Sequence, residues 1–550
     1  MNRVALLLAS TLLAAAPALA APTQFDAQRL SSHVQTLGSD AFEGRGVATR
    51  AEVKTIDYLV TQFRAAGLSP GGDIVRGKRI WTQAVPLLRS EFTADPTVTV
   101  RLPNGRLLPL AQREQIAVRA PMDGSKSLAI AGAPLLFVGY GVAAPERGWD
   151  DYKGVDVRGK ILVLLINDPD FDGGEGDFGG KAMTYYGRWT YKYEEAARRG
   201  AAGVMIVHET APAAYGWNTV KNSNTNTMFD IVRDHPRAQH TPFESWIQRD
   251  VAKDIFAAAG LDFDRAREAA RRKDFRPIAL DASLTASGPV RSAVITSHNV
   301  AGRLPGKKRP NETLIYSAHW DHLGIGQPDA KGDRIYNGAL DNGAGLAQLI
   351  EQARAFAHEP RPDRSILFLA VTAEEKGLLG SEYYGNHPLY PLATTVGMLN
   401  TDGGSIYGAA HDFSISGSAK LGLLDELIEE GAKTGRHFSP DLHPERGYFF
   451  RSDHFSMAKV GVPAISFEAG ADLLQGGVAR GDSLRDDYTA RFYHQPGDEW
   501  QPTWDFTGMA QDVALLHALG KRLANSREWP NWSKDSEFRA ARDRTAALRK

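Results

Sequence analysis

LIYSAHWDHLGIG, residues 314–326, opens as an unbroken apolar run and closes on two imidazoles and a carboxylate, His319, Asp321 and His322. An apolar run without polar alternation is the pattern of a strand covered on both faces, as in a parallel sheet. The texture recurs downstream: TLIYSAH is followed by the helical NGAGLAQLIEQARAFA, then by SILFLAVTAEE, and later by VGMLNTDGG and VPAISFEAG. Such strands alternating with helices predict an α/β fold, a mixed, mostly parallel sheet sandwiched by helices. A single histidine at a strand end is usually structural, so the meaning of His319 depends on what ends the other strands.

In open α/β sheets ligands bind beyond the carboxyl ends of the strands. Those ends carry His319 and Asp321, then Asp341 in GALDNGAG, Glu374 and Glu375 in VTAEEKG, Asp402 in LNTDGG, and His494 in the loop FYHQPGDEW. Taken singly, each reads as a helix cap, a solvated acid or a loop histidine. Together, histidines and carboxylates at successive ends of one sheet match what two closely spaced divalent ions need: a bridging carboxylate, a few terminal ligands each, and an open position for water.

Composition narrows the chemistry. At 550 residues and 43% apolar content the chain exceeds one ordinary core and is expected to form two domains. A balance of 64 Lys and Arg against 65 Asp and Glu offers no broad field for nucleic acid or anionic lipid. The absence of cysteine excludes thiolate ligands and cysteine nucleophiles, so any metal must sit on His, Asp and Glu, a set that suits zinc, manganese or cobalt. Met1, Asn2 and Arg3 precede an apolar run at residues 4–13 and then APALA, with small residues at Ala18 and Ala20. This predicts a signal peptide over residues 1–20, export to the periplasm or the medium, and no membrane anchor after cleavage.

Residues 21–91 carry two helical patterns, AQRLSSHVQTLG and AEVKTIDYLVTQFRAAGLSP, the second with Ile56, Leu59, Val60 and Phe63 on one face. Residues 92–285 change to short β-rich runs (TVTVRL, PLLFVGYGV, KILVLLI), with the helical YKYEEAARRGA feeding the strand GVMIVH, and are expected to form an inserted domain. Residues 286–550 hold the main α/β part, and the tail from Ser526 reads as a charged terminal helix.

The ordered set H-x-D, A-L-D-N-G-A-G, E-E, D and H resembles the M28 family of co-catalytic zinc exopeptidases. The resemblance implies two divalent ions, zinc foremost, with Asp341 bridging them, His319 and Asp402 completing one and Glu375 and His494 the other. It implies that Asp321 orients His319 from behind, in keeping with the carboxylate commonly found there, and that Glu374 is the general base. His322 has no ligand counterpart in the pattern and is read as structural; Trp320 fills the space between His319 and Asp321. LLFVGYGVAAPERGWDDYKGVDVRGKILVLL and YKYEEAARRGAAGVMIVH resemble a protease-associated (PA) domain, a type that commonly covers exopeptidase sites. LGSDAFEGRGVATRAEVKTIDYLVTQFRAAGLSP is similar to the helical opening of the same catalytic domain, which makes that domain discontinuous.

The implied reaction is hydrolysis of N-terminal residues from peptide substrates. A carboxypeptidase or dipeptidase is the alternative, and a catalytically dead binding protein a remote one, since such a protein should have lost ligands. Glutaminyl cyclases share the fold but use one zinc. The M20 family shares the ligand order but interposes a dimerisation lid, whereas the stretch between Asp402 and His494 is occupied by M28-like elements such as YFFRSDHFSMAKVGVPAISF. Tyr448, Phe449, Phe450 and Arg451 fall where the family lines its cleft and are candidate substrate contacts. A structural pairing of Arg451 with Asp453 or another carboxylate is preferred to contact with a substrate carboxylate.

Overall fold

The computed structural model describes residues 25–173, 176–417 and 421–549. The signal peptide read from residues 1–20 lies outside them. The central sheet contains β1 (Thr82–Phe92), β2 (Ile278–Leu304), β3 (Arg309–His319), β4 (Arg364–Val371), β5 (Thr395–Thr401), β6 (Asp412–Ile415) and β7 (Ala464–Ala469). Their spatial order is β1-β2-β4-β3-β5-β7-β6. Strands β3, β4, β5 and β7 are mutually parallel, and the flanking pairs are antiparallel.

The apolar run of β3 divides as a strand's two-residue period requires. Leu314, Tyr316 and Ala318 pack with α2 (Arg50–Ala65), α4 (Gly345–His358) and α5 (Thr507–Asn525), through residues such as Leu59, Phe63, Leu346, Ile350 and Leu516. Ile315 points the other way, into a cluster with Leu367, Met398, Tyr384 and Met457. Each fully buried Leu or Phe contributes about 1.5–3 kcal/mol, which is why the strands carry no polar alternation. Two of the four residues placed on the inner face of α2, Leu59 and Phe63, are fully buried, and Thr49 caps the helix by accepting from the Ala51 N–H. Helix α1 (Ala27–Leu37) covers the loop that precedes α4, with Leu30 and Val34 against Ala339 and Leu340.

Within residues 92–285, Ser127–Phe137, Ile161–Leu165, Gly203–His208 and Phe243–Gln248 form a second, parallel array with its own core around Phe137, Val163, Met205 and Phe256. The boundary expected at residues 285 and 286 falls inside β2. Residues 278–289 of this 27-residue strand pair with Ser127–Phe137, and residues 290–300 pair with β1. A strand can pass its ladder from one sheet to the next without any turn residue, so composition gives no mark there. Met228–Ile231 also pairs with β1, which stitches the inserted region to the central sheet. The charged tail forms a short α-helix, Arg539–Asp543, and a 3₁₀ turn, Ala546–Leu548. Pro530 interrupts it, and the buried Trp532 and Arg542 anchor it by donating to the Gly461 carbonyl (3.2 Å) and the Thr395 carbonyl (2.9 Å). Among the described residues no helix is long and apolar enough to cross a membrane.

Candidate metal centre

Three parallel strands deliver side chains to one end of the sheet: His319 closes β3, Glu374 and Glu375 follow β4, and Asp402 follows β5. Asp341 lies on the loop ahead of α4, and His494 follows the helix Gly477–Arg491. Gly338 allows the loop to fold close, because a Cβ at its left-handed φ of 59° would sit 2.2 Å from the Asp341 carbonyl oxygen and 2.5 Å from the His322 ring. Ala373 (φ 53°) and His494 (φ 55°) are left-handed without being glycine, a conformation that clusters at functional positions.

Two buried groups hold the Asp341 loop. The carboxylate of Asp498 accepts from the Leu340 and Asp341 N–H groups, both at 3.0 Å, and from the Tyr488 hydroxyl at 3.0 Å. The fully buried Arg45 guanidinium donates to the five backbone carbonyls of Leu37, Trp320, Asn337, Gly338 and Asp341.

His319 Nδ1 meets the backbone carbonyl of Asp321 at 3.0 Å, which places the proton on Nδ1 and turns the Nε2 lone pair inward. Nε2 stands 3.2 Å from Asp402 Oδ1 and 3.3 Å from Asp341 Oδ1. On the other side, His494 Nε2 lies 3.0 Å from Glu375 Oε2 and 3.3 Å from Asp341 Oδ2. Asp341 thus turns one oxygen toward each imidazole. His494 Nδ1 is 2.7 Å from the hydroxyl of Ser223 on α3 (Trp217–Asn224), so the inserted region orients this ring. His322 Nδ1 approaches Glu375 Oε1 to 2.5 Å without hydrogen-bond alignment, and both buried atoms lack hydrogen-bond partners.

Converging carboxylates and imidazole lone pairs, buried together, require positive charge among them. Burial opposes protonation of His319, but Glu374, Asp402 and Asp341 outweigh it and raise its pKa well above the ordinary value. His494 is raised to about 9 because Glu375 and Asp341 likewise outweigh burial. His319, Asp341 and Asp402 can each offer an atom within 4.8 Å of the others, as can His322, Asp341 and Glu375. The donor set fits hard-to-borderline divalent cations such as zinc.

Two expected contacts are different in the structure. The Asp321 carboxylate does not stand directly behind His319: it is 3.9 Å from Nδ1 and instead accepts the Glu374 N–H at 3.0 Å and the Glu375 N–H at 3.4 Å. It therefore shapes the turn that presents both glutamates, while its own backbone carbonyl orients the ring. Arg451 is not paired with Asp453. Its guanidinium donates to the Ala213 carbonyl at 3.0 Å and lies over the rings of Tyr215 and Tyr448.

Two cavities flank Glu374. One, of about 220 Å³, is lined by Asp341, Asp402, Tyr448 and Glu468; the other, of about 130 Å³, by Arg188, Tyr215, Glu375 and Phe450. Glu374, Arg451, Tyr493 and His494 line both. Of the four candidate contacts, Phe449 alone lines neither cavity; its ring packs against Phe455 and Phe538. Ser223, His322, Asp498 and Arg45 belong to the site although the motif pattern does not include them. The Asp four residues after His494 and the second His of HWDH were the available signals.

Comparison with known proteins agrees with this geometry. Residues 299–518 match the model of peptidase family M28. A 134-residue stretch is 30% identical to the vacuolar membrane protease of Saccharomyces cerevisiae (strain YJM789), 24% of this chain and 12% of that protein. A 104-residue stretch is 35% identical to a probable zinc metalloprotease of Pyricularia oryzae, 19% of this chain and 20% of that one. The matches thus span a fifth or less of these curated relatives. The solved aminopeptidase from Aneurinibacillus sp. strain AM-1 superposes with a TM-score of 0.52 at 19% identity, covering 92% of this chain and 95% of that one, which establishes the shared α/β fold. The ligand-competent cluster at the sheet end thus lies wholly within the residues that match the M28 peptidase model.

Proposed function

We propose that the protein is an exported two-zinc aminopeptidase. The observation that carries this reading is Asp341, whose two oxygens face one imidazole each, 3.3 Å away in both cases, beside a partly buried glutamate at the junction of two cavities. His319, Asp341 and Asp402 would hold one ion, and Asp341, Glu375 and His494 the other, with His322 beside Glu375. Bound ions of this kind polarise a scissile carbonyl and acidify water.

The chain's own groups do the rest. Glu374 takes the proton of the attacking water on its carboxylate and returns it to the departing amine nitrogen. Asp402 and Glu468 on the larger cavity suit the α-ammonium of an N-terminal residue, which sets the direction of attack. The leader-like residues 1–20 support export. The PA-like inserted region supports a covered site, since Ser223 and Asn222 reach His494 from it.

Leu-p-nitroanilide should be cleaved with kcat/KM at least about tenfold above that for N-acetylated dipeptides, the worth of one charge-assisted contact. Faster release from the blocked substrates would favour the carboxypeptidase reading instead.

A further inference from the structure

The smaller cavity contains a cation that hydrolysis does not use. Arg188 sits at the start of the helix Trp189–Arg198. The turn before it is fixed: the Gly187 carbonyl accepts from the Asn167 N–H at 3.1 Å, and Asp168 accepts from both the N–H and the hydroxyl of Thr184 at 2.8 Å. Arg188 is 8% exposed and its Nε has no hydrogen-bond partner. Among the described residues no carboxylate pairs with it.

Two other cations on the same cavity already have partners. Arg119 pairs with Glu244 at 3.3 Å, and Lys376 donates to Asn226 Oδ1 at 2.7 Å. The charged neighbour of Arg188 is another cation, Arg451; burial and this like charge lower its pKa to about 10, which leaves it charged at neutral pH. A desolvated guanidinium without a counter-charge is strongly unfavourable unless a ligand supplies one.

We propose that Arg188 and Arg451 form a carboxylate subsite for the leaving part of the substrate, so that preferred peptides carry a negative charge next to the cleaved bond. The proposal rests on the peptidase reading above. Guanidinium forks match carboxylates in shape and charge. Glu374 and His494 line both cavities, so a group in the smaller one is continuous with the reacting centre. The larger cavity, with Asp402 and Glu468, takes the N-terminal side; on the smaller one Glu194 accepts from the Tyr185 hydroxyl and Glu382 is paired with Arg233, which leaves its arginines for the departing residue. The carboxylate is either the α-carboxylate of a dipeptide or an acidic side chain on the first leaving residue.

The test compares kcat/KM for Leu-Ala, Leu-Ala-amide and Leu-Asp-amide in the wild type, Arg188→Gln and Arg188→Lys. In the wild type, Leu-Ala or Leu-Asp-amide should exceed Leu-Ala-amide by about 10–100-fold. Preference for the first identifies the α-carboxylate, preference for the second the side chain. The ratio should fall to within about threefold in Arg188→Gln, with part retained in Arg188→Lys. Equal rates on all three substrates in the wild type, or a ratio that survives Arg188→Gln, would overturn the subsite.

Calorimetric titration of Glu374→Gln with Leu-Ala and with Leu-Ala-amide, repeated with Arg188→Gln added, reads the same preference without turnover. If no substrate is cleaved, the peptidase reading falls. The titration then decides the subsite alone: tighter binding of Leu-Ala that disappears with Arg188 supports it, and equal binding of the two overturns it.

Discussion

Glu374→Gln should lower kcat by about 10²–10⁴-fold while metal content and KM change little, the usual contribution of a general base. Glu374 is partly buried between the two cavities, and its Oε2 is 3.8 Å from His319 Nε2. Burial, with Asp402 and Glu375 nearby and only His319 opposing, pushes its pKa well above the usual carboxylate range, so the group is disposed to accept a proton. The amide keeps the shape and removes the acceptor. Its neighbour has other work: Glu375 lies 3.0 Å from His494 Nε2, and Glu375→Gln should weaken metal retention and be partly rescued by excess metal. Metal analysis and steady-state kinetics on both variants check the assignment. A Glu374→Gln protein that has lost an ion would mean that the two glutamates exchange roles.

Arg45→Met should destabilise the folded chain by about 3–5 kcal/mol, the scale seen when one side of a buried charged network is removed. The side chain is fully buried, and its loss strands five carbonyl acceptors around the loop that carries Asp341. Arg45→Lys should recover only part of this, because an ammonium offers three donors and no planar fork. The midpoint of urea unfolding measures both variants. A Met variant as stable as the wild type would show that the loop holds itself.

The candidate site residues were legible because each interrupts a pattern. His319, Glu374, Glu375 and Asp402 stand where an apolar run stops, and physics otherwise gives no reason to end three buried strands on acids and an imidazole. The groups that orient them were not legible. Ser223 touches His494 across 271 residues of chain, a contact made only by the fold of the inserted region. Asp453 looked like a partner for Arg451 because it is close in sequence, yet in the connection between Tyr448–Phe450 and His454–Lys459 the guanidinium turns instead to the Ala213 carbonyl. Arg188 reads as one more arginine in an arginine-rich stretch, and only its burial without a carboxylate distinguishes it. Strand β2 hid the junction between the two sheets for the opposite reason: its β-pattern continues unbroken through it.

In the proposed enzyme Asp341 joins two ion sites in one reaction centre. This arrangement is tested most directly by elemental analysis of the purified mature protein, paired with activity on Leu-p-nitroanilide before and after chelation. The expected result is two divalent ions per chain, loss of hydrolysis when they are removed, and recovery with zinc or cobalt. A fully active chain holding one ion or none, or activity that persists in excess chelator, would contradict it.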